Sequence, residues 1–311
     1  MADTSELVDR LLAGDRRALA RVLSLVENDT PAGREALRVL YPRGGRAHTI
    51  GITGPTGSGK STLAACLGQE FRRRGRTVGI VAVDPTSPLS HGAILGDRIR
   101  MQELASDTEV FVRSMASRGG LGGLAPATAE VVAVLDAAGK DVIIIETVGA
   151  GQDEVEIAGS AMTTIVVVPP SSGDDIQAMK AGIIEIADIL VVNKADLPGA
   201  SAAAIHLESL AGFAPPEARA APVLCTVATR AEGISALADA TEEHRAYLES
   251  SGRLAPRLRD RARAQVLSAL RQAVEERVLA SKDGRLEAAV QAVYERRIDP
   301  RSAAMALLGE P

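Results

Sequence analysis

The run Gly54-Pro55-Thr56-Gly57-Ser58-Gly59-Lys60-Ser61 has the spacing G-x-x-x-x-G-K-S and continues into Thr62-Leu63-Ala64. That spacing is chemistry for holding phosphates. The glycines let backbone N–H groups close around a phosphate chain, and a helix starting at the loop's end adds a positive dipole. Lys60 has the reach and charge for β- and γ-phosphates, and the Ser61 hydroxyl suits Mg²⁺. The flanks fit: Thr49-Ile50-Gly51-Ile52-Thr53 reads as a buried strand, and 62–68 as the start of a helix. Residues 54–62 are therefore expected to bind a nucleotide.

Asn193-Lys194-Ala195-Asp196 closes another apolar run, Ile189-Leu190-Val191-Val192. N-K-x-D downstream of a phosphate loop points to guanine. Asp196 can accept hydrogen bonds from guanine N1–H and its 2-amino group. Adenine offers neither donor, leaving a carboxylate without a partner at a loss of about 1–3 kcal/mol. Asn193 is expected to tether the loop and approach the purine N7, and the Lys194 stem to cover a ring face. Thr226, Val227 and Ala228 end the next strand, where a backbone N–H can meet guanine O6. The expected ligands are GTP and GDP with Mg²⁺.

Three acids follow predicted strands: Asp84 in Val83-Asp84-Pro85, Asp97 in Gly96-Asp97-Arg98, and Glu146 after Ile143-Ile144-Ile145. Carboxylates at the C-terminal ends of parallel strands face the ligand crevice. Mg²⁺ takes few protein carboxylates and keeps waters and phosphate oxygens, so the three divide between metal contact and water positioning. Asp97 by itself also reads as a helix N-cap. In Glu146-Thr147-Val148-Gly149, Gly149 stands where a backbone N–H can sense a γ-phosphate. Gln152 follows too late to be assigned the attacking water. The four histidines (48, 91, 206, 244) are scattered without metal-ligand spacing.

These residues need a scaffold, and the 311-residue chain can supply one. Apolar runs at 49–53, 77–83, 109–112, 141–145, 163–168, 188–192 and 222–226 alternate with helical patterns. That pattern predicts a doubly wound α/β fold with a mostly parallel sheet. Leu7, Leu11, Leu12, Leu19, Val22, Leu23 and Val26 recur at helical spacing before a Pro/Gly/Arg hinge at 41–46. The expected division is a helical extension at 1–46, a nucleotide domain at 47–250 and a helical arm at 251–311. Within the arm, Leu258, Ala262, Val266, Leu270, Val274 and Val278 form an apolar stripe that predicts a homodimer. The Arg cluster at 253–263 reads as a solvated helix face.

Hydrophobic residues make up 46% of the chain and aromatics only 2%, so the core is predicted to be Ala, Val, Leu and Ile. A net charge of −5 gives no electrostatic case for nucleic acid or membrane partners. No apolar run reaches the roughly 20 residues needed to span a bilayer, and the polar N-terminus is not a signal peptide. Cys66 and Cys225 read as reduced, buried thiols in a cytoplasmic protein. Of 35 basic residues only five are Lys, which draws notice to Lys60, Lys180 and Lys194, while Lys140 and Lys282 read as surface residues.

Together these motifs resemble the GTPases associated with methylmalonyl-CoA mutase, also called arginine/ornithine transport system kinases. The resemblance runs from about Ser5 to about Tyr247. It rests on the phosphate loop, Ala82-Val83-Asp84-Pro85-Thr86-Ser87-Pro88, Ile94-Leu95-Gly96-Asp97-Arg98, Ser117-Arg118-Gly119-Gly120-Leu121, Glu146-Thr147-Val148-Gly149, Gly173-Asp174-Asp175-Ile176-Gln177 and Asn193-Lys194-Ala195-Asp196. It implies a GTP-hydrolysing chaperone of an adenosylcobalamin-dependent acyl-CoA mutase that gates cofactor loading. It implies that Asp84, Asp97 and Glu146 join Ser61 at the Mg²⁺ and γ-phosphate site, with Lys60, Asp97, Glu146 and Gly149 as the catalytic group. It also implies that 170–182, with Asp174 and Lys180, relays the nucleotide state to the mutase. The chain departs from the family pattern at Pro55-Thr56, Asp175 and Val227. A nickel-insertion GTPase and a small-molecule kinase are the alternatives; the first needs a Cys/His metal site and the second an acceptor pocket with a base.

Overall fold

The computed structural model describes residues 4–85, 104, 106–117, 126–147, 161–170, 185–212, 219–281 and 283–309, with backbone only at 84–85, 116–117 and 126. All seven apolar runs form strands: β1 (His48–Thr53), β2 (Val78–Pro85), β3 (Val110–Ser117), β4 (Val142–Thr147), β5 (Thr163–Val168), β6 (Ile189–Asn193) and β7 (Val223–Thr226). They make one sheet in the order β3-β2-β4-β1-β5-β6-β7, with every pairing parallel. β1 lies between β4 and β5, pairing Ile52 with Glu146 on one side and Ile165 on the other. The loop after β1 therefore emerges beside the C-terminal ends of two strands, the usual ligand crevice of such sheets.

Side chains alternate along each strand onto two faces. Ile50, Ile52, Ile144, Ile165 and Val191 face α4 (Lys60–Arg73) and α7 (Ile234–Ser250). Ile143, Ile145, Val81 and Val83 face the other way, against α1 (Thr4–Leu12), α2 (Arg16–Glu27), α3 (Pro31–Leu40) and α5 (Pro126–Ala137). Val166, Val168, Leu190 and Val192 meet α6 (Ala200–Ala211). Burial on both faces explains the nearly unbroken apolar strands.

The N-terminal helices do not stand apart from the sheet. Leu7, Leu11, Leu19, Val22, Leu23 and Val26 are all buried in the core they share with β2 and β4. At about 1.5–3 kcal/mol for each large apolar side chain, this burial holds the extension down. Asp15 caps α2 by accepting from the Arg17 and Ala18 N–H groups, and Thr30 caps α3.

The chain divides into two compact units, Met1–Arg261 and Ala262–Pro311. α8 (Leu254–Ala280) begins in the first and continues into the second, and none of its residues is buried. The second unit also holds α9 (Arg285–Tyr294) and α10 (Pro300–Leu308), the latter capped by Asp299. No helix among the described residues is long and apolar enough to cross a membrane.

Several side chains depart from the sequence expectation. The Arg cluster is not uniformly solvated: Arg257 forms two hydrogen bonds to Asp188 (2.9 and 2.6 Å), and Arg261 donates to Thr49 Oγ1 at 3.2 Å. Positions 257 and 261 lie one helical turn apart and share an inward face, while Arg253, Arg259 and Arg263 remain exposed. Cys66 is half-buried, with its thiol on the Ala228 carbonyl, and Cys225 is exposed because β7 is an edge strand. Lys140 is half-buried, donates to the Glu109 carbonyl at 3.0 Å, and has its pKa lowered by burial.

Two of the scattered histidines meet. His48 Nε2 lies 2.8 Å from Thr163 Oγ1, and that oxygen lies 2.9 Å from His244 Nδ1. His244 Nε2 is 3.2 Å from Asp188, which Arg257 clamps. Asp188 is raised by burial, but hydrogen bonds from His244 and Arg257 outweigh this and hold its carboxyl below the usual range. Because Asp188 can only accept from His244 Nε2–H, one consistent assignment runs one way: His48 Nε2–H to Thr163, Thr163 O–H to His244 Nδ1, and His244 Nε2–H to Asp188.

Candidate nucleotide site

The phosphate loop leaves β1 at Gly54, and α4 starts at Lys60. Gly54, Gly57 and Gly59 all have left-handed φ, at 137°, 82° and 92°. A Cβ on Gly54 would sit 2.0 Å from the Val167 carbonyl oxygen, and one on Gly59 2.4 Å from Asn193 Nδ2. Glycine at these two places is a steric requirement, because the loop runs against β5 and the β6 end. Lys60 is buried, and its ammonium donates to the carbonyls of Gly54 (2.8 Å) and Pro55 (3.1 Å). The charge is thus held inside the curve of the loop. Ser58 and Thr53 each bury a hydroxyl with no hydrogen-bond partner among the described residues.

Ser61 donates to Glu146 Oε1 at 2.5 Å, across the gap between α4 and the end of β4. Glu146 is buried. A hydroxyl and a carboxylate brought together beside a phosphate cradle are hard oxygen donors of the kind Mg²⁺ takes. The residues present therefore fit a magnesium nucleotide. The Asp84 side chain, Asp97, Gly149 and Gln152 lie outside the described residues. No group of three or more His, Cys, Asp or Glu side chains among the described residues could hold a metal ion.

The N-K-x-D segment is joined to the phosphate loop directly. Asn193 is buried, and its Nδ2 donates to the Ser58 carbonyl at 2.8 Å. Its Oδ1 accepts from Thr226 Oγ1 (3.1 Å) and from the Ala228 N–H (3.2 Å). One amide thus ties together β6, the phosphate loop and the end of β7. Lys194 has φ 59° and sends Nζ to the Gly57 carbonyl at 2.7 Å. A non-glycine residue in the left-handed region stores strain, which clusters at ligand sites. The Val227 N–H is taken by the Glu232 carbonyl. A base carbonyl would thus have to share or displace one of these internal bonds.

Sequence reasoning missed Arg230. Its guanidinium lies 3.9 Å from Asp196 and 2.8 Å from Glu232, so Asp196 has a cationic neighbour from the adjacent loop. Nothing near Asp196 in sequence signals this, because the loops meet only through the β6–β7 pairing. If Asp196 reads guanine, Asp196→Asn should weaken GTP by about 1–3 kcal/mol and favour xanthine nucleotides, whose 2-oxo group accepts from an amide. Calorimetry with GTP, ATP and XTP checks this, and unchanged GTP preference would reject Asp196 as the base reader.

A phosphate loop, an N-K-x-D segment and a hydroxyl–carboxylate pair on the C-terminal edge of a parallel sheet define a P-loop GTPase. More narrowly, the chain belongs to the methylmalonyl-CoA mutase-associated GTPase family MeaB, whose model matches residues 19–283. The match continues well past Tyr247, where the sequence resemblance thins. A protein of Pyrococcus abyssi that carries a GTPase name is 49% identical, over 98% of this chain and 96% of that one. The mouse methylmalonic aciduria type A homolog, mitochondrial, is 34% identical over 80% of this chain and 65% of that one. The crystal structure of an LAO/AO transport system kinase superposes with a TM-score of 0.74 at 26% identity, covering 98% and 96% of the two chains.

Proposed function

We propose that this GTPase binds GTP and GDP with Mg²⁺ through residues 54–62, 193–196 and 226–228, and that its cycle gates cofactor loading and protection of an adenosylcobalamin-dependent acyl-CoA mutase in the cytoplasm. A single observation carries the partner assignment: the MeaB family match spans most of the chain. Lys60 moves from its two loop carbonyls onto phosphate oxygens and balances charge as the β–γ bond breaks. Mg²⁺, when bound, neutralises phosphate charge. Ser61 and Glu146 would hold it, with Asp84 and Asp97 completing the set, and the Gly149 N–H would sense the γ-phosphate. The name of the LAO/AO structure favours a second reading, phosphoryl transfer to a small molecule. Release of all γ-phosphate as inorganic phosphate separates hydrolysis from that transfer.

The test is cofactor loading. Apo-mutase is mixed with adenosylcobalamin and this protein carrying GTP, GDP or a non-hydrolysable analogue, and holo-mutase is followed by its cobalamin spectrum. The expected result is loading that differs between nucleotide states. Identical loading in all three, and without the protein, rejects the chaperone role.

Residues 47–250 are the domain assigned to this chemistry, and the arm is assigned to pairing with a second copy. Val266 and Leu270 of the stripe are 67% and 57% exposed, a large apolar surface for a free helix. Removing 262–311 should leave a monomer that still binds GTP. That cut spares Arg257, whose loss would leave buried Asp188 without its guanidinium partner, and Arg261, which donates to Thr49. Sedimentation of the full chain as a monomer at every concentration would refute the dimer.

A further inference from the structure

A second cavity, of about 500 Å³, opens at the N-terminal edge of the sheet. Its walls include His48, the first residue of β1, whereas the phosphate loop follows the last. The six-residue strand puts about 17 Å between its two ends, so this is not the nucleotide site. Phe71, Val142 and His48, all buried, form its floor.

Charge pairing around the cavity is uneven. Glu242 is paired with Arg74 and Glu249 with Arg245, while Asp141 spends its carboxylate on the neutral Thr77 N–H and hydroxyl. Arg46 and Arg76 also line it, yet their guanidinium groups make no hydrogen bond or ion pair among the described residues. Their backbones are nonetheless fixed. Asp136 accepts from the consecutive N–H groups of Gly45, Arg46 and Ala47. The Arg76 N–H donates to the Phe71 carbonyl, and the Arg76 carbonyl accepts from Arg72. The floor is equally fixed, since His48 is held by the Thr163–His244–Asp188–Arg257 chain. Pinned backbones carrying unspent forked donors over a rigid floor are the arrangement that captures a planar or tetrahedral oxyanion.

We propose that this cavity is a binding site for a small oxyanion, a carboxylate or a phosphate, held by Arg46 and Arg76. The volume suits a metabolite rather than a bare ion, within the roughly 300–1,000 Å³ typical of small-molecule sites. Burial and the nearby Arg245 push the His48 pKa down to about 3, so its imidazole stays neutral and the charge offered to the anion comes from the arginines.

The full-length protein, saturated with GDP and Mg²⁺, is treated with phenylglyoxal in the presence of inorganic phosphate or of succinate. Arginine modification is then read residue by residue by peptide mass spectrometry. At ten times the dissociation constant, the anion should slow modification of Arg46 and Arg76 about tenfold while exposed Arg17 and Arg38 react unchanged. Protection by phosphate alone, or by succinate alone, identifies the oxyanion class. In parallel, calorimetry compares the parent with Arg46→Gln/Arg76→Gln; both positions are exposed, so the fold should survive. Loss of the isotherm in the variant supports the site. Absence of protection by either anion, equal slowing at all four arginines, or an isotherm unchanged in the variant would overturn it.

Discussion

Lys60→Ala should lower the rate of GTP hydrolysis by at least about 10²–10³-fold, the loss seen when one preorganised transition-state donor is removed. Its ammonium sits inside the loop, 2.8 and 3.1 Å from the Gly54 and Pro55 carbonyls, with little solvent around it. In so dry a place the charge acts at low effective dielectric and is not replaced by water after truncation. Alanine would also leave the two loop carbonyls without that donor, so nucleotide binding is expected to weaken as well. Phosphate release at saturating GTP separates the effects, because a pure binding defect is overcome by concentration. A circular dichroism melt confirms that the variant is folded. Turnover at the parental rate would remove Lys60 from the chemistry and the phosphate loop from the proposed mechanism. Ser61→Ala, by contrast, should act mainly on metal dependence, since it removes the hydroxyl facing Glu146 but leaves Lys60 in place.

The sheet was legible because its inner strands are buried on both faces, which leaves an unbroken apolar run such as Val142–Ile145, while the edge strand β7 is only partly covered. The N-terminal helices were legible for the complementary reason: only one face of α2 is buried, so its leucines and valines recur with helical period. The phosphate loop and N-K-x-D segment carry their chemistry in consecutive residues, and even the tethering by Asn193 follows from its type. What escaped were contacts between residues far apart in sequence. Arg257 and Arg261 looked like solvent-facing charge because their partners, Asp188 and Thr49, lie 69 and 212 positions away. His48 and His244 looked unrelated because Thr163, the hydroxyl between them, belongs to a third element. Arg230 beside Asp196 belongs to the same class. Local pattern encodes burial and loop type, whereas such polar pairings are set by which strands become neighbours.

The other large effect expected is stimulation by the partner. GTPases that lack an internal arginine finger turn over slowly, and a partner can add roughly 10³–10⁵ in rate. An adenosylcobalamin-dependent acyl-CoA mutase should therefore accelerate GTP hydrolysis by this protein. Residues 170–182, with Asp174 and Lys180, are the proposed relay; both charged residues lie outside the described residues, so sequence alone carries the assignment. The segment leaves the end of β5, the strand that pairs with β1 and whose Val167 carbonyl lies against Gly54. A change at the phosphate loop thus has a short path to the base of the relay. To transmit anything, the segment must have two arrangements that nucleotide and mutase favour unequally, since a ligand shifts an equilibrium only by its differential affinity. Asp174→Ala with Lys180→Ala removes the charges that would distinguish those arrangements while leaving residues 54–62 and 193–196 intact. The double variant should then bind GTP with nearly unchanged affinity and hydrolyse it at the parental basal rate, but lose the response to mutase. Hydrolysis is measured for both proteins over a range of mutase concentrations. Equal stimulation of parent and variant would exclude 170–182 as the relay, and a parent that no such mutase accelerates would remove the coupling itself.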